Sequence, residues 1–148
     1  MSLLDEDIIR DFQSESRTVL GELFSVVEKL EAEEDSPVNF NLYAEFAQKI
    51  DRIMGAAKTL SMMDPEHRGL ETMGKLAENC KGMGYKASEL KDAKLSPHIT
   101  AFWAETLEVL QGLIRVIDDT DKSAEIANSS AKVLETRLQW LSQKLGTN

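Results

Sequence analysis

A single cysteine, Cys80, stands in 148 residues, so no disulfide can close within the chain and a reducing compartment is expected. Proline is almost as scarce. Pro37 falls between stretches of helical periodicity, and Pro65 and Pro97 fall at the start of one, where a helix tolerates proline. No apolar run approaches the roughly 20 residues that a bilayer-crossing helix needs. The opening segment, Met1 to Asp7, is acidic and has no basic start or apolar centre, so no signal peptide is expected and the cytoplasm is the expected location. Strand patterning is missing too, with no alternating stretch and no β-branched run bounded by turn residues. Basic surface is the last shortage. The net charge is −9, and the first 36 residues alone carry 11 acids against 3 bases. Without a basic patch to displace counterions from phosphates, neither nucleic acid nor an anionic membrane is an expected partner. A partner with a basic face suits this charge, beside the plainer reading of acidic helix faces that serve solubility.

What is present is helical. At 42% hydrophobic and 29% charged, the composition is that of an ordinary globular chain, and the length predicts one domain over 1–148. Apolar residues recur at three- and four-residue spacing in five stretches, predicting helices over about 5–33, 41–63, 65–85, 97–118 and 123–145. The predicted class is all-α, an antiparallel up-and-down bundle with a four-helix core and short loops. In the first helix Ile8, Ile9, Phe12, Val19, Leu20, Leu23, Val27 and Leu30 are expected inward. It is expected to stop in the polar turn Glu31 to Pro37, where acids oppose the helix dipole and favour fraying. Asp64, Ser96 and Ser123 are the expected caps of the third, fourth and fifth helices. In the fifth, Ile126, Ser130, Val133, Leu134, Leu138, Leu141 and Leu145 are expected inward, with closure at Gly146. The third helix carries Gly69 and Gly74, expected to permit close helix contact, and Gly82 and Gly84, expected to mark a break or kink.

The second helix has the most informative pattern. Tyr43, Phe46, Ala47, Ile50, Ile53, Met54, Ala57 and Leu60 form one apolar stripe, and Ala44 and Met62 extend its line. Asp51 falls on the border of that stripe, followed by Gly55 one turn later and Lys58 two turns later. A carboxylate beside a glycine offers a notch that another protein can approach closely. Gly55, Ala56, Ala57, Thr59 and Leu60 stand in the order found around the phospho-accepting histidine of histidine-phosphotransfer domains. Phe12, Glu15, Ser16, Val19, Leu20, Leu23 and Leu30 resemble the opening helix of that domain in chemotaxis kinases of the CheA type. The chain therefore resembles this family over about residues 5–90, with Asp51 in place of the histidine and Met54 in place of the family's lysine.

The resemblance implies a signalling module that docks a response-regulator receiver domain or a histidine kinase. The substitution implies that it does so without carrying phosphate. Phosphohistidine chemistry needs an imidazole nucleophile, and aspartyl phosphates form where a metal ion and a lysine attend the carboxylate. The expected docking residues are Gln48, Asp51, Arg52, Gly55 and Lys58, with Asp51 as a crude permanent negative charge. Two other classes stay open. Glu45 and Gln48, one turn apart, suggest a phosphatase acting on a phosphorylated receiver, and a structural reading makes the chain a dimerising bundle. His67 and His98 both fall in first turns of helices and are expected to be solvated. Cys80 is expected to pack as a small core residue, and the methionines to fill core gaps. No residue set points to a metal, a cofactor or a catalytic group.

Overall fold

The computed structural model describes residues 4–32 and 39–146. The expected polar turn from Glu33 to Pro37, with its fraying, lies outside them. The described residues are helical throughout: α1 (Glu6–Ala32), α2 (Asn41–Met63), α3 (Arg68–Leu90), α4 (Ser96–Arg115) and α5 (Thr120–Leu145), with a single 3-10 turn (Ala93–Leu95) before α4. An all-α class follows directly. Among the described residues no helix is long and apolar enough to cross a membrane.

The helices bury one shared core. From α1 come Phe12, Val19, Leu20, Leu23, Val26, Val27 and Leu30, and from α2 the stripe from Tyr43 to Leu60. The inward sets of α3 and α4 are Leu70 to Met83 and Ile99 to Ile114 as spaced in the sequence. At its centre Phe46 stacks on Trp103 with ring centroids 3.8 Å apart and planes 2° from parallel, while Tyr43 meets the same indole edge-on at 5.6 Å. Each such ring contributes about 1.5–3 kcal/mol by burial alone.

The α2–α3 hairpin is the tightest pairing. A Cβ on Gly84 would lie 2.7 Å from the Tyr43 carbonyl oxygen and 2.9 Å from Ala47 Cβ, so only glycine lets the two backbones meet there. At the other end Gly74 faces Lys58 at 3.1 Å, which makes the two helices antiparallel. Gly69 packs against Ser123 of α5. Close contact at Gly69 and Gly74 thus agrees with their spacing, but α3 has no break at Gly82 or Gly84 and runs on to Leu90. Gly84 is a point of contact because helix α2 lies directly across it.

Several helix ends differ from expectation. Asp5 caps α1 by accepting the Ile8 N–H at 2.8 Å. Asp64 ends α2 instead of starting α3, and His67 is the α3 cap. Ser96 lies inside α4, whose entry is set by the 3-10 turn that Asp92 caps at Lys94 N. α5 starts at Thr120 because Asp119 accepts the Lys122 N–H at 3.0 Å, leaving Ser123 buried inside the helix. Gly146 follows α5 with φ of 71°, the left-handed conformation that glycine adopts without strain.

Two apolar residues face the other way from their spacing. Met62 is 81% exposed because it lies two turns beyond Gly55 on the solvent side of α2, while Met63 beside it still packs on the core, and Val133 is 57% exposed at the open groove between α4 and α5. Met73 and Met83 fill the core, whereas Met54 and Met63 are half-buried.

Candidate protein-docking face

The outer ridge of α2 runs through Gln48, Arg52, Gly55, Thr59 and Met62, all exposed and spaced so that each sits one turn above the last. The inner side of the same helix is sealed by Phe46, Ile50, Ile53, Ala57 and Leu60. This division follows from the 3.6-residue period, and it presents the ridge as a straight edge.

At its middle stands Gly55. A Cβ built there meets nothing within 4 Å, so no neighbouring element needs the glycine, and the helix runs through it without interruption. Thr59 Oγ1 donates to the Gly55 carbonyl at 2.9 Å, closing the local backbone on the solvent side. Interior glycine costs a helix about 1 kcal/mol against alanine. Here that cost returns no packing contact among the described residues.

Charged side chains line both flanks of the ridge, and each is held by a neighbouring helix. Toward α1, Arg52 lies 3.6 Å from Glu22, and Lys49 lies 3.9 Å from the same carboxylate and 4.0 Å from Glu45. Toward α3, Asp51 Oδ1 accepts a hydrogen bond from Lys81 Nζ at 2.8 Å, and Lys58 meets Glu78 at 2.9 Å. The hydrogen bond to Asp51, helped by the Coulombic attraction of Asp51, Tyr85 and Glu78, holds the Lys81 ammonium above its usual range despite some desolvation. Acids and bases balance on this face, in a chain whose net charge is −9.

The structure thus brings Gln48, Asp51, Arg52, Gly55 and Lys58 onto one solvent-facing strip. Asp51 is half-exposed rather than sealed, and Gly55 is uncovered. It does not leave Asp51 as an unmatched negative charge, because Lys81 neutralises it. The lysine that pairs with Asp51 comes from α3.

Lys81, Glu78 and Glu22 are the site residues that sequence reasoning missed. A signal for one of them existed: residues 51 and 81 lie at equal separations from Glu66, so folding a hairpin about the Asp64–His67 turn places them opposite one another. Glu22 carried no such mark, since the segment joining α1 to α2 sets no visible register.

Burial pushes the Cys80 thiol up to about 12, with a hydrogen bond to Thr106 opposing the shift, so the thiolate nucleophile is suppressed. Among the described residues no three His, Cys, Asp or Glu side chains are grouped to hold a metal ion. His98 is exposed and lies against Trp140, with ring centroids 4.8 Å apart. His67 is not solvated: it is 3% exposed, and Leu70 N–H and the Ile117 carbonyl occupy its two ring nitrogens. No protein-family model, curated protein or solved structure matches the chain.

Proposed function

We propose that the chain is a protein-docking module of the histidine-phosphotransfer type, an antiparallel bundle with a four-helix core in which Asp51 takes the acceptor position. In this reading it binds a receiver domain or a histidine kinase through the outer ridge of α2 and passes no phosphate. The observation that carries the reading is the place of Gly55: as open as Gly21 and Gly82, it lies at the middle of the solvent-facing ridge of α2, one turn from Asp51. It forgoes about 1 kcal/mol of helix stability with no contact among the described residues to account for it. A partner whose backbone or side chain approaches the ridge would supply that contact. The ion pairs beside it favour a partner bearing both signs of charge, able to exchange partners with Asp51–Lys81 and Lys58–Glu78.

The test is binding of the purified chain to receiver domains and kinase domains encoded by the same genome, measured by interferometry. Gly55→Arg fills the notch with a long side chain that has open space around it, so the fold tolerates it. At least one domain should bind the parent, and Gly55→Arg should weaken that complex about tenfold or more, the loss expected when contacts at an interface centre are blocked. Equal binding by parent and variant, or no binding by any receiver or kinase, rejects the proposal.

A further inference from the structure

His67 fastens one end of the bundle through both ring nitrogens. Nδ1 accepts the Leu70 N–H at 3.2 Å, which requires the neutral ring with its hydrogen on Nε2. Nε2 then donates to the Ile117 carbonyl at 2.9 Å, tying the start of α3 to the turn between α4 and α5. Gly69 admits the ring: a Cβ there would lie 3.1 Å from His67 Cε1 and 2.7 Å from Ser123 Cβ. Beside it, Gln13 Nε2 donates to the Ile114 carbonyl at 2.9 Å, so two side-chain donors hold the end of α4.

Next to the ring opens a groove of about 470 Å³. Asp5 and Glu6 face it from the start of α1, Asp64 from the end of α2 and Asp118 from the α4–α5 turn, with Arg10 the one cation among the described residues that line it. Glu66 and Arg68 flank His67 in the chain, and Arg68 is engaged by Asn128 at 3.2 Å. The ring therefore has two environments within reach. One accepts only the neutral form, and the other is rich in acceptors for the cation.

We propose that His67 is an acid-driven latch. A proton taken from solvent goes to Nδ1, the atom that holds the Leu70 N–H. Two donors then face one another at the positive end of a helix, and the cap is lost. The imidazolium moves into the carboxylate-lined groove, where charge-assisted hydrogen bonds are available. Its departure releases the Ile117 carbonyl and loosens the corner between α4 and α5.

The test uses nitrogen-labelled protein carrying His98→Gln, so that His67 is the only imidazole. Ring nitrogen shifts and amide exchange are read from about pH 8 to about pH 5.5, across the imidazole range. At the upper pH the hydrogen should sit on Nε2. On acidification, protection of the Leu70 amide should fall about tenfold relative to amides in the middle of α3. His67→Asn keeps a capping side chain without a titrating ring, and in it that ratio should change less than about twofold. The latch is overturned if Nδ1 carries the hydrogen at the upper pH, or if Leu70 protection tracks the rest of α3 at both pH values. Both readings come from the histidine-bearing protein, so they decide the matter even if His67→Asn fails to fold.

Discussion

Introducing alanine at two glycines should change stability in opposite directions. At Gly55 the new methyl meets nothing within 4 Å on an exposed helix surface. Its effects are better helix propensity and a less flexible unfolded chain, together about 0.5–1 kcal/mol of added stability. At Gly84 the same propensity gain is opposed by a Cβ 2.7 Å from the Tyr43 carbonyl oxygen and 2.9 Å from Ala47 Cβ. Those atoms belong to the backbone and first side-chain carbon of α2, which cannot swing aside. The helices must separate, and overpacking of that kind typically costs about 1–3 kcal/mol and occasionally more. A change of 1 kcal/mol moves Tm by roughly 2–4 °C in a chain of this size. Gly55→Ala should therefore melt a few degrees above the parent and Gly84→Ala below it, by calorimetry at one scan rate. Urea titrations should show the same order at unchanged slope. A stabilised Gly84→Ala refutes the close approach of α2 and α3. A destabilised Gly55→Ala means that the fold itself uses that glycine, which removes the main support for docking.

Other outcomes follow from the core. Phe46→Ala deletes a fully buried ring stacked on Trp103 and should cost about 3–5 kcal/mol in urea denaturation, and a loss below about 1 kcal/mol would contradict the packing. Cys80, with its thiol pushed up to about 12, should resist a thiol reagent in the native protein and react at once in denaturant; rapid native labelling would contradict its burial. The sign for pH follows from the same burial. The folded thiol stays neutral after the unfolded one ionises near 9.0, so its contribution is complete below that value and is lost as pH rises toward about 12. Cys80→Ala should make the alkaline fall in stability shallower, measured by urea midpoints, and an unchanged slope would argue against the shift.

Much of the fold could be read from the chain because helical spacing reports burial directly. The apolar residues at helical spacing in the third and fourth stretches, Leu70, Met73, Leu76, Ala77, Cys80 and Met83 and then Ile99, Phe102, Trp103, Leu107, Leu110, Leu113, Ile114 and Ile117, are all buried. The errors arise where long-range contacts decide. Met62 is expected to extend the stripe of α2, but it lies two turns from Gly55 on the solvent side, and Met63 packs on the core instead. His67 has the sequence context of a solvated first-turn residue, and only the arrival of the α4–α5 turn buries it. Gly55 and Gly84 are indistinguishable as letters within helical stretches, because what separates them is whether another backbone lies across the face. Charge partners are harder still. The ridge from Gln48 to Lys58 was visible in the second helix alone, whereas Lys81, Glu78 and Glu22 come from helices whose register the local pattern does not carry.

The docking reading stands or falls on where a partner touches this molecule. A backbone amide shift titration of the labelled chain with a bound receiver or kinase domain locates that contact. The account predicts changes centred on Gln48, Arg52, Gly55 and Lys58, reaching across the ion pairs to Glu78 and Lys81. Changes confined to α4 and α5, with the α2 ridge undisturbed, would contradict it.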